Sequence, residues 1–264
     1  MKSGFLEVPI VMKIIPVLAF EDNYIWLIGD GRYAAVVDPG DAEPVLDYLG
    51  HHGLRLAAIL ITHHHGDHTG GIEALLRHAA VPVYGPRKEN IPGITDPVGT
   101  GDTVRLPELG AEFAVLDVPG HTAGHVAYYG ANSLFCGDTL FTCGCGKLFE
   151  GTPAQMHDSL QKLATLPDDT QVYCAHEYAL ENIRFAKKVE PANRQLLERE
   201  VRDRLTREQG CPTLPSTMAL EKATNPFLRC EHPTVIEAAS HFSGSLLDDA
   251  VKVFTALREW RNRL

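Results

Sequence analysis

The sequence predicts an α/β chain of the α+β kind, with strands and helices interleaved to about residue 177 and an all-helical segment after it. Three observations carry this expectation. Short runs rich in Val, Ile and aromatic residues, bounded by Gly, Pro, Asn and Asp, recur through the first two thirds of the chain. Beyond about residue 180 the apolar residues recur only at helical spacing. The charge changes at the same place: residues 1–179 hold 10 Lys/Arg against 22 Asp/Glu, whereas residues 180–264 hold 14 against 12.

The elements follow in order. KIIPVLAF, NYIWLIGD and YAAVVD read as successive strands of an antiparallel start, and Ala42 to His52 as a helix. LAAILITHHH is a buried strand running into a His-rich loop, after which GGIEALLRHAA resumes with helical spacing. Strands are expected at Thr103–Leu106, Glu112–Val118, Val126–Gly130 and Ser133–Cys136, then a helix from about Pro153 and a strand at QVYCAH. Glu181–Val189, Ala192–Glu208 and Leu246–Arg263 read as charged amphipathic helices with no strand between them. The expected organisation is therefore a domain over residues 12–177 and a C-terminal helical domain over 178–264 packed tightly on it. Met12 before a strand-like run makes a natural start, so residues 1–11 are expected to be a disordered extension.

Composition narrows the function classes. With 264 residues, 44% hydrophobic and 22% charged, the chain has the make-up of a soluble globular protein. No apolar run approaches the roughly 20 residues of a membrane-spanning helix, and the first residues lack a signal-peptide pattern, so the expectation is a cytoplasmic protein without a membrane partner. Six cysteines are too few for a disulfide scaffold, and no disulfide is expected. Cys136, Cys174, Cys211 and Cys230 read as small buried residues. A net charge of −10 repels phosphate backbones and argues against nucleic acid as a partner.

The chemistry concentrates in THHHGDHTGG, residues 62–71. His63, His65, Asp67 and His68 stand at the mouth of a strand, with Gly66, Gly70 and Gly71 allowing tight turns around them. Alternation places His63 and His65 on one side, and the turn at Gly66 leaves Asp67 and His68 to face a second centre. Imidazole with carboxylate suits zinc, iron or manganese better than calcium or magnesium. A metal-scavenging tag would not sit between a buried Leu/Ile strand and a Gly-bounded helix start. His121 in PGHTAGH, Asp138 in FCGDTLF and His176 in VYCAHEY each follow a strand end, where loops carry function on a rigid scaffold.

These residues match a known family. The chain resembles the metallo-β-lactamase superfamily and, within it, glyoxalase II, the hydroxyacylglutathione hydrolases. The resemblance covers residues 12–264 and rests on THHHGDHTGG together with DNYIWL, CGDTLF, CGCGKLFEG, YCAHEY, TNPFLR and the helical tail. It implies a four-layer αββα sandwich with a C-terminal helical domain and a dinuclear site at its edge. One metal would take His63, His65 and His121, the other Asp67, His68 and His176, with Asp138 bridging; zinc is the first expectation, iron and manganese the others. The implied reaction is hydrolysis of S-D-lactoylglutathione to D-lactate and glutathione, the second step of methylglyoxal detoxification. Its nucleophile would be a water bridging the metals, oriented by Asp67 and Asp138.

The resemblance also implies where glutathione binds. Lys147, Tyr178, Asn182, Arg258 and Arg261 fall on family contact positions. Phe149 stands where some members have tyrosine, Arg261 where many have lysine and Asn262 where they have aspartate. The CGCGK segment with Cys143 and Cys145 would be a turn shaping this pocket, and His64 and His125 would be support or surface. The expected partner is a small-molecule glutathione thioester, and the expected state a monomer. Alternatives are a glutathione persulfide dioxygenase using one iron, another hydrolase of the superfamily, and a non-catalytic metal-binding module with closed ligand spheres.

Overall fold

The computed structural model describes residues 12–264, so the extension expected at residues 1–11 lies outside the described residues. The chain begins with β1 (Lys13–Ala19), β2 (Asn23–Gly29), β3 (Tyr33–Val37), α1 (Glu43–His52), β4 (Arg55–Leu60), the one-turn α2 (Gly66–Thr69), α3 (Ile72–His78), β5 (Val83–Pro86) and β6 (Asp96–Val98). These six strands form one sheet in sequence order, antiparallel from β1 to β3 and parallel from β3 to β6. Next come β7 (Thr103–Leu106), β8 (Ala111–Asp117), β9 (Val126–Gly130), β10 (Ser133–Gly137), the small hairpin β11 (Leu140–Phe141) and β12 (Gly144–Cys145), α4 (Pro153–Ala164) and β13 (Gln171–Cys174). The tail adds α5 (Ala179–Val189), α6 (Arg194–Glu208), β14 (Ser216–Thr217), α7 (Met218–Thr224), α8 (Pro233–Ser243) and α9 (Ala250–Asn262). The second sheet runs β14-β13-β10-β9-β8-β7, antiparallel except for the β10–β13 pair.

Side-chain alternation explains the layers. Along β2, Tyr24, Trp26 and Ile28 join Phe113, Val115 and Tyr128 of the second sheet in one core, while Ile25 and Leu27 join Val45, Leu49, Ile72 and Leu75 of α1 and α3 in another. Beyond the second sheet, Met156, Leu160 and Leu163 of α4 and Val253, Phe254 and Leu257 of α9 complete the packing. The result is helix, sheet, sheet, helix. The two sheets are tied at one edge, where Trp26 Nε1 donates to Cys174 O (3.0 Å) and Tyr24 N to Ala175 O (2.7 Å).

The tail is not purely helical. Ser216–Thr217 pairs antiparallel with β13 and extends the second sheet. Two residues are too few to display an alternation, so the sequence carried no strand signal there. Side-chain caps also move two helix starts. Asn193 accepts from Leu196 N, so α6 begins at Arg194 rather than Ala192, and Asp249 accepts from Val251 N and Lys252 N, so α9 begins at Ala250 rather than Leu246. Phe185, Met218, Phe227 and Phe254 of the tail lie in the same core as Trp26 and Phe135. All six cysteines are free; Cys211 is exposed just past α6, unlike the burial expected of it. Among the described residues no helix is long and apolar enough to cross a membrane.

Candidate metal centre

Four strand ends converge on one edge of the sandwich. The segment after β4 carries His63 and His65 and enters α2 with Asp67 and His68; His121 follows β8, Asp138 follows β10 and His176 follows β13. Two close approaches demand glycine. A Cβ on Gly40 would lie 1.9 Å from Asp67 O, and one on Gly146 would lie 2.0 Å from Asp138 O and 3.0 Å from His121 Nδ1.

The seven side chains form two groups. His65 Nδ1 lies 3.0 Å from His63 Nε2 and 2.9 Å from His121 Nε2. Both separations come close to the edge of a tetrahedron of ligand atoms around a metal, about 3.3 Å for bonds of roughly 2.0 Å. Asp67, His68 and His176 form the second group, with Asp67 Oδ2 3.4 Å from His68 Nε2 and 3.6 Å from His176 Nε2. Asp138 stands between them: Oδ2 is 3.4 Å from His121 Nε2, while Oδ1 is 3.3 Å from His176 Nε2 and 3.5 Å from His68 Nε2. His68 Nε2 and Asp138 Oδ1 are buried without a hydrogen-bond partner among the described residues. Such orphaned atoms are costly unless a cation receives them, so the donor set fits divalent metal ions.

Hydrogen bonds behind the histidines fix which ring nitrogen faces inward. His121 Nδ1 donates to Lys147 O (2.8 Å), His68 Nδ1 to Asp38 Oδ2 (3.1 Å) and His176 Nδ1 to Asp22 Oδ1 (2.7 Å). Thr62 Oγ1 donates to Asp38 (2.7 Å) and so accepts from His63 Nδ1 (3.0 Å). Nε2 of all four rings is thereby left as a lone pair for a metal. Asp38 lies within ligand distance of His63 and His68. Its oxygens already receive Thr62 N, Thr62 Oγ1 and His68 Nδ1, which makes it an orienting group rather than a ligand. Asn23 Nδ2 likewise holds Asp67 Oδ2 at 3.1 Å.

Charge within the cluster is strongly coupled. Burial and then the neighbouring His68 and His125 push the pKa of His63 well below the ordinary histidine value. Burial opposes protonation of His68 as well, but Asp138 and Asp38 outweigh it and raise its pKa. Burial would raise the Asp138 carboxyl; His68 and His176 hold it far below the usual carboxylate range. The neighbouring His68 ring is the first cause holding the Asp67 carboxyl below the usual carboxylate range. His125, stacked on His63 with ring centroids 4.6 Å apart, accepts the Asp138 N–H at Nε2 (3.2 Å) and so supports the carboxylate from behind. His64 instead pairs with Glu89 (2.9 Å) outside the cluster.

A cavity of about 440 Å³ opens beside His121 and Asp138. It is lined by Lys147, Phe149, Tyr178, Asn182, Arg258 and Arg261, so the structure brings together all six residues expected at the glutathione site. Tyr178 stacks on His176 (4.9 Å, 4°), and Phe149 stands edge-on to His65 and His121. Arg258 is buried, donates Nη1 to Cys145 O (2.9 Å) and keeps Nε unpartnered, as does Asn182 with Nδ2. A larger cavity of about 680 Å³, lined by tail residues such as Asn193, Arg229 and His232, holds none of the seven ligand candidates.

Comparison with known proteins bears on this site. Residues 19–176 match the family model of the metallo-beta-lactamase superfamily, and residues 177–264 match that of the hydroxyacylglutathione hydrolase C-terminus. The hydroxyacylglutathione hydrolase of Nitrosomonas europaea is 57% identical over 252 residues, which cover 96% of each chain. The chain belongs to the hydroxyacylglutathione hydrolase family. The family's protein from Vibrio parahaemolyticus is 52% identical over 257 residues, covering 96% of this chain and 99% of its own. Among solved structures, ETHE1 from Myxococcus xanthus is similar with a TM-score of 0.63 and 26% identity, covering 95% of this chain and 98% of its own.

Sequence reasoning missed part of this hydroxyacylglutathione hydrolase site. Asp22, Asn23 and Asp38 hold His176, Asp67 and His68, yet none belongs to the His-rich motif. Asp22 and Asn23 are the first two residues of DNYIWL, a segment already conspicuous for its family resemblance. That was the one available signal.

Proposed function

We propose that this chain hydrolyses S-D-lactoylglutathione to D-lactate and glutathione. The observation that carries the reading is the position of Asp138, which turns one oxygen toward each histidine group beside a cavity lined by Lys147, Arg258 and Arg261. His63, His65 and His121 would hold one divalent ion and Asp67, His68 and His176 the other, with Asp138 shared and zinc the first choice. Bound there, two such ions supply a water acidic enough to ionise near neutral pH and a Lewis acid for the thioester carbonyl.

The chain's own groups do the rest. Asp138, steadied through its N–H by His125, and Asp67, held by Asn23, orient the attacking water. Arg258, Arg261 and Lys147 receive the two carboxylates of glutathione, while Tyr178 and Phe149 wall the thioester against solvent. The departing thiol has an ordinary pKa of about 8.5, so it leaves as thiolate without a proton from a side chain. The same reading makes the partner a small molecule and the chain a cytoplasmic monomer. A one-iron dioxygenase needs only two histidines and one carboxylate, which would leave the second group of donors, Asp67, His68 and His176, without a purpose.

Steady-state hydrolysis of S-D-lactoylglutathione, measured with the metal content per chain and a His65→Ala control, tests the proposal. Rapid turnover with two metals, lost in the variant, is the expected result. Two bound metals without turnover would transfer the site to another thioester or ester, and one iron with oxygen uptake on glutathione persulfide would install the dioxygenase instead.

A further inference from the structure

We propose that Glu221 and Asn225 are positioning residues: from the tail they hold the β11–β12 hairpin, and through it the wall of the substrate cavity, in its binding form. The inference rests on the cavity being the glutathione site. Each β11–β12 strand has two residues, and a hairpin of that size has no independent stability. Its shape must come from outside. Asn225 Nδ2 donates to Phe141 O (3.1 Å) and Gly144 O (2.9 Å), bracketing the turn, and Glu221 Oε2 accepts the N–H of Cys143 at its apex (2.9 Å). Cys143 has φ +51°, a region that residues with a Cβ seldom occupy, so the external acceptor helps to hold its backbone there.

The anchor behind these bonds is a buried charge network. Glu221 Oε1 accepts from Arg199 Nη2 (2.6 Å) and Ser216 Oγ (2.5 Å), and Arg199 also reaches Thr224 Oγ1 (2.7 Å) and Asp203 (3.3 Å). Glu221 and Asn225 are fully buried and Arg199 is 2% exposed. Apolar side chains of similar volume often stabilise a fold as well as a buried ion pair does. Placement of the hairpin gives this network a role that apolar packing could not fill. In front, the hairpin bears directly on the cavity: Phe141 meets Tyr178 edge-on at 5.2 Å, Cys145 O receives Arg258 Nη1, and the chain leaving β12 presents Lys147. The candidate metal ligands are carried on the ends of β4, β8, β10 and β13 rather than on the hairpin itself, and the chain beyond β12 meets them through Lys147 O, which His121 Nδ1 contacts. Loosening the hairpin should therefore weaken binding and spare the chemical step.

The experiment compares full-length wild type, Asn225→Ala, Asn225→Ser and Ser216→Ala, each loaded with metal and assayed well below its melting temperature. KM for S-D-lactoylglutathione, kcat, metal content and calorimetric Kd for glutathione are read together. Asn225→Ala should raise KM and Kd about tenfold or more, with kcat changed less than about threefold and metal content unaltered. Asn225→Ser, which keeps one donor, should fall between it and wild type, and it carries the test if the alanine variant does not fold. Ser216→Ala removes one of the two hydrogen bonds that anchor Glu221 Oε1 but leaves the Asn225 bonds to the hairpin intact, so it should lower the melting temperature and move KM less than Asn225→Ala does. Unchanged KM and Kd in both Asn225 variants, or an equal rise in Ser216→Ala, would overturn the proposal. A wild type that binds glutathione without turnover overturns only the reaction assigned above; one that binds no glutathione overturns this inference too.

Discussion

Asp38 Oδ2 lies 3.1 Å from His68 Nδ1 and so dictates which nitrogen of that ring faces Asp67, Asp138 and His176. The same carboxylate binds Thr62 N and Oγ1, which in turn fixes His63. One residue outside the His-rich motif thus orients a ligand in each metal group. Partners of this kind typically change metal affinity by about 10- to 100-fold when altered. Asp38→Asn should lower affinity at the Asp67, His68, His176 group by that order, read as earlier release of one metal in a chelator titration. Release curves that superimpose on wild type would remove Asp38 from this role.

Metal removal itself should abolish hydrolysis and be reversed by adding divalent cation. The buried Asp138 Oδ1 and His68 Nε2 have no hydrogen-bond partner among the described residues that could replace the ion. Asp138→Ala should retain the fold, lose stoichiometric binding of the second metal and lower kcat by about 10²-fold or more. Full activity with one metal in that variant would show that the shared carboxylate is dispensable.

How much of this was legible depended on distance along the chain. His63, His65, Asp67 and His68 declare themselves because they fall within six residues beside a buried strand. His121, Asp138 and His176 follow recognisable strand ends, and the interleaving of strands and helices was readable from apolar runs such as NYIWLIG, every residue of which is buried, whereas the layering came only from the family resemblance. Asp22 was not readable as a partner of His176, since 154 residues separate them and only the folded sheet edge brings them together. Nor was Ser216–Thr217, whose strand exists because β13 offers an edge, not because two residues have a preference. Local pattern exposes ligands; the groups that orient ligands are set by tertiary contact.

Arg258 separates binding from stability. Its guanidinium is buried, and among the described residues its hydrogen bonds leave from Nη1 alone, to Cys145 O and more weakly to Cys145 Sγ (3.7 Å); it lies over the Phe227 ring at 5.3 Å with Nε unsatisfied. A buried cation so poorly paired contributes little to folding, and an unbranched apolar replacement is often neutral or stabilising. Arg258→Met should keep or raise the melting temperature while KM for the glutathione thioester rises about 10- to 100-fold, the loss of one charged hydrogen bond. A fall in stability with unchanged KM would make the residue structural.

The histidine cluster makes stability depend on pH in a direction that His125 isolates. Burial, followed by the influence of His121, pushes the His125 pKa well below the ordinary value, and its Nε2 accepts the Asp138 N–H as a neutral ring. Below about pH 6.5 the unfolded chain binds a proton at this position that the folded chain refuses. The unfolded state then holds more protons, so this contribution to stability is complete above that pH and is lost as pH falls. His68 and His176 are shifted upward and act in the opposite sense, so the total slope of the wild type mixes both. The difference between wild type and His125→Gln removes that mixture, because glutamine can still accept the Asp138 N–H and does not titrate. In metal-free protein, urea unfolding at pH 7.0 and 5.5 should show wild type losing more stability than the variant, by at most about 1.4 kcal/mol per pH unit for one proton. Equal losses would mean that His125 takes up its proton in the folded state as readily as in the unfolded one.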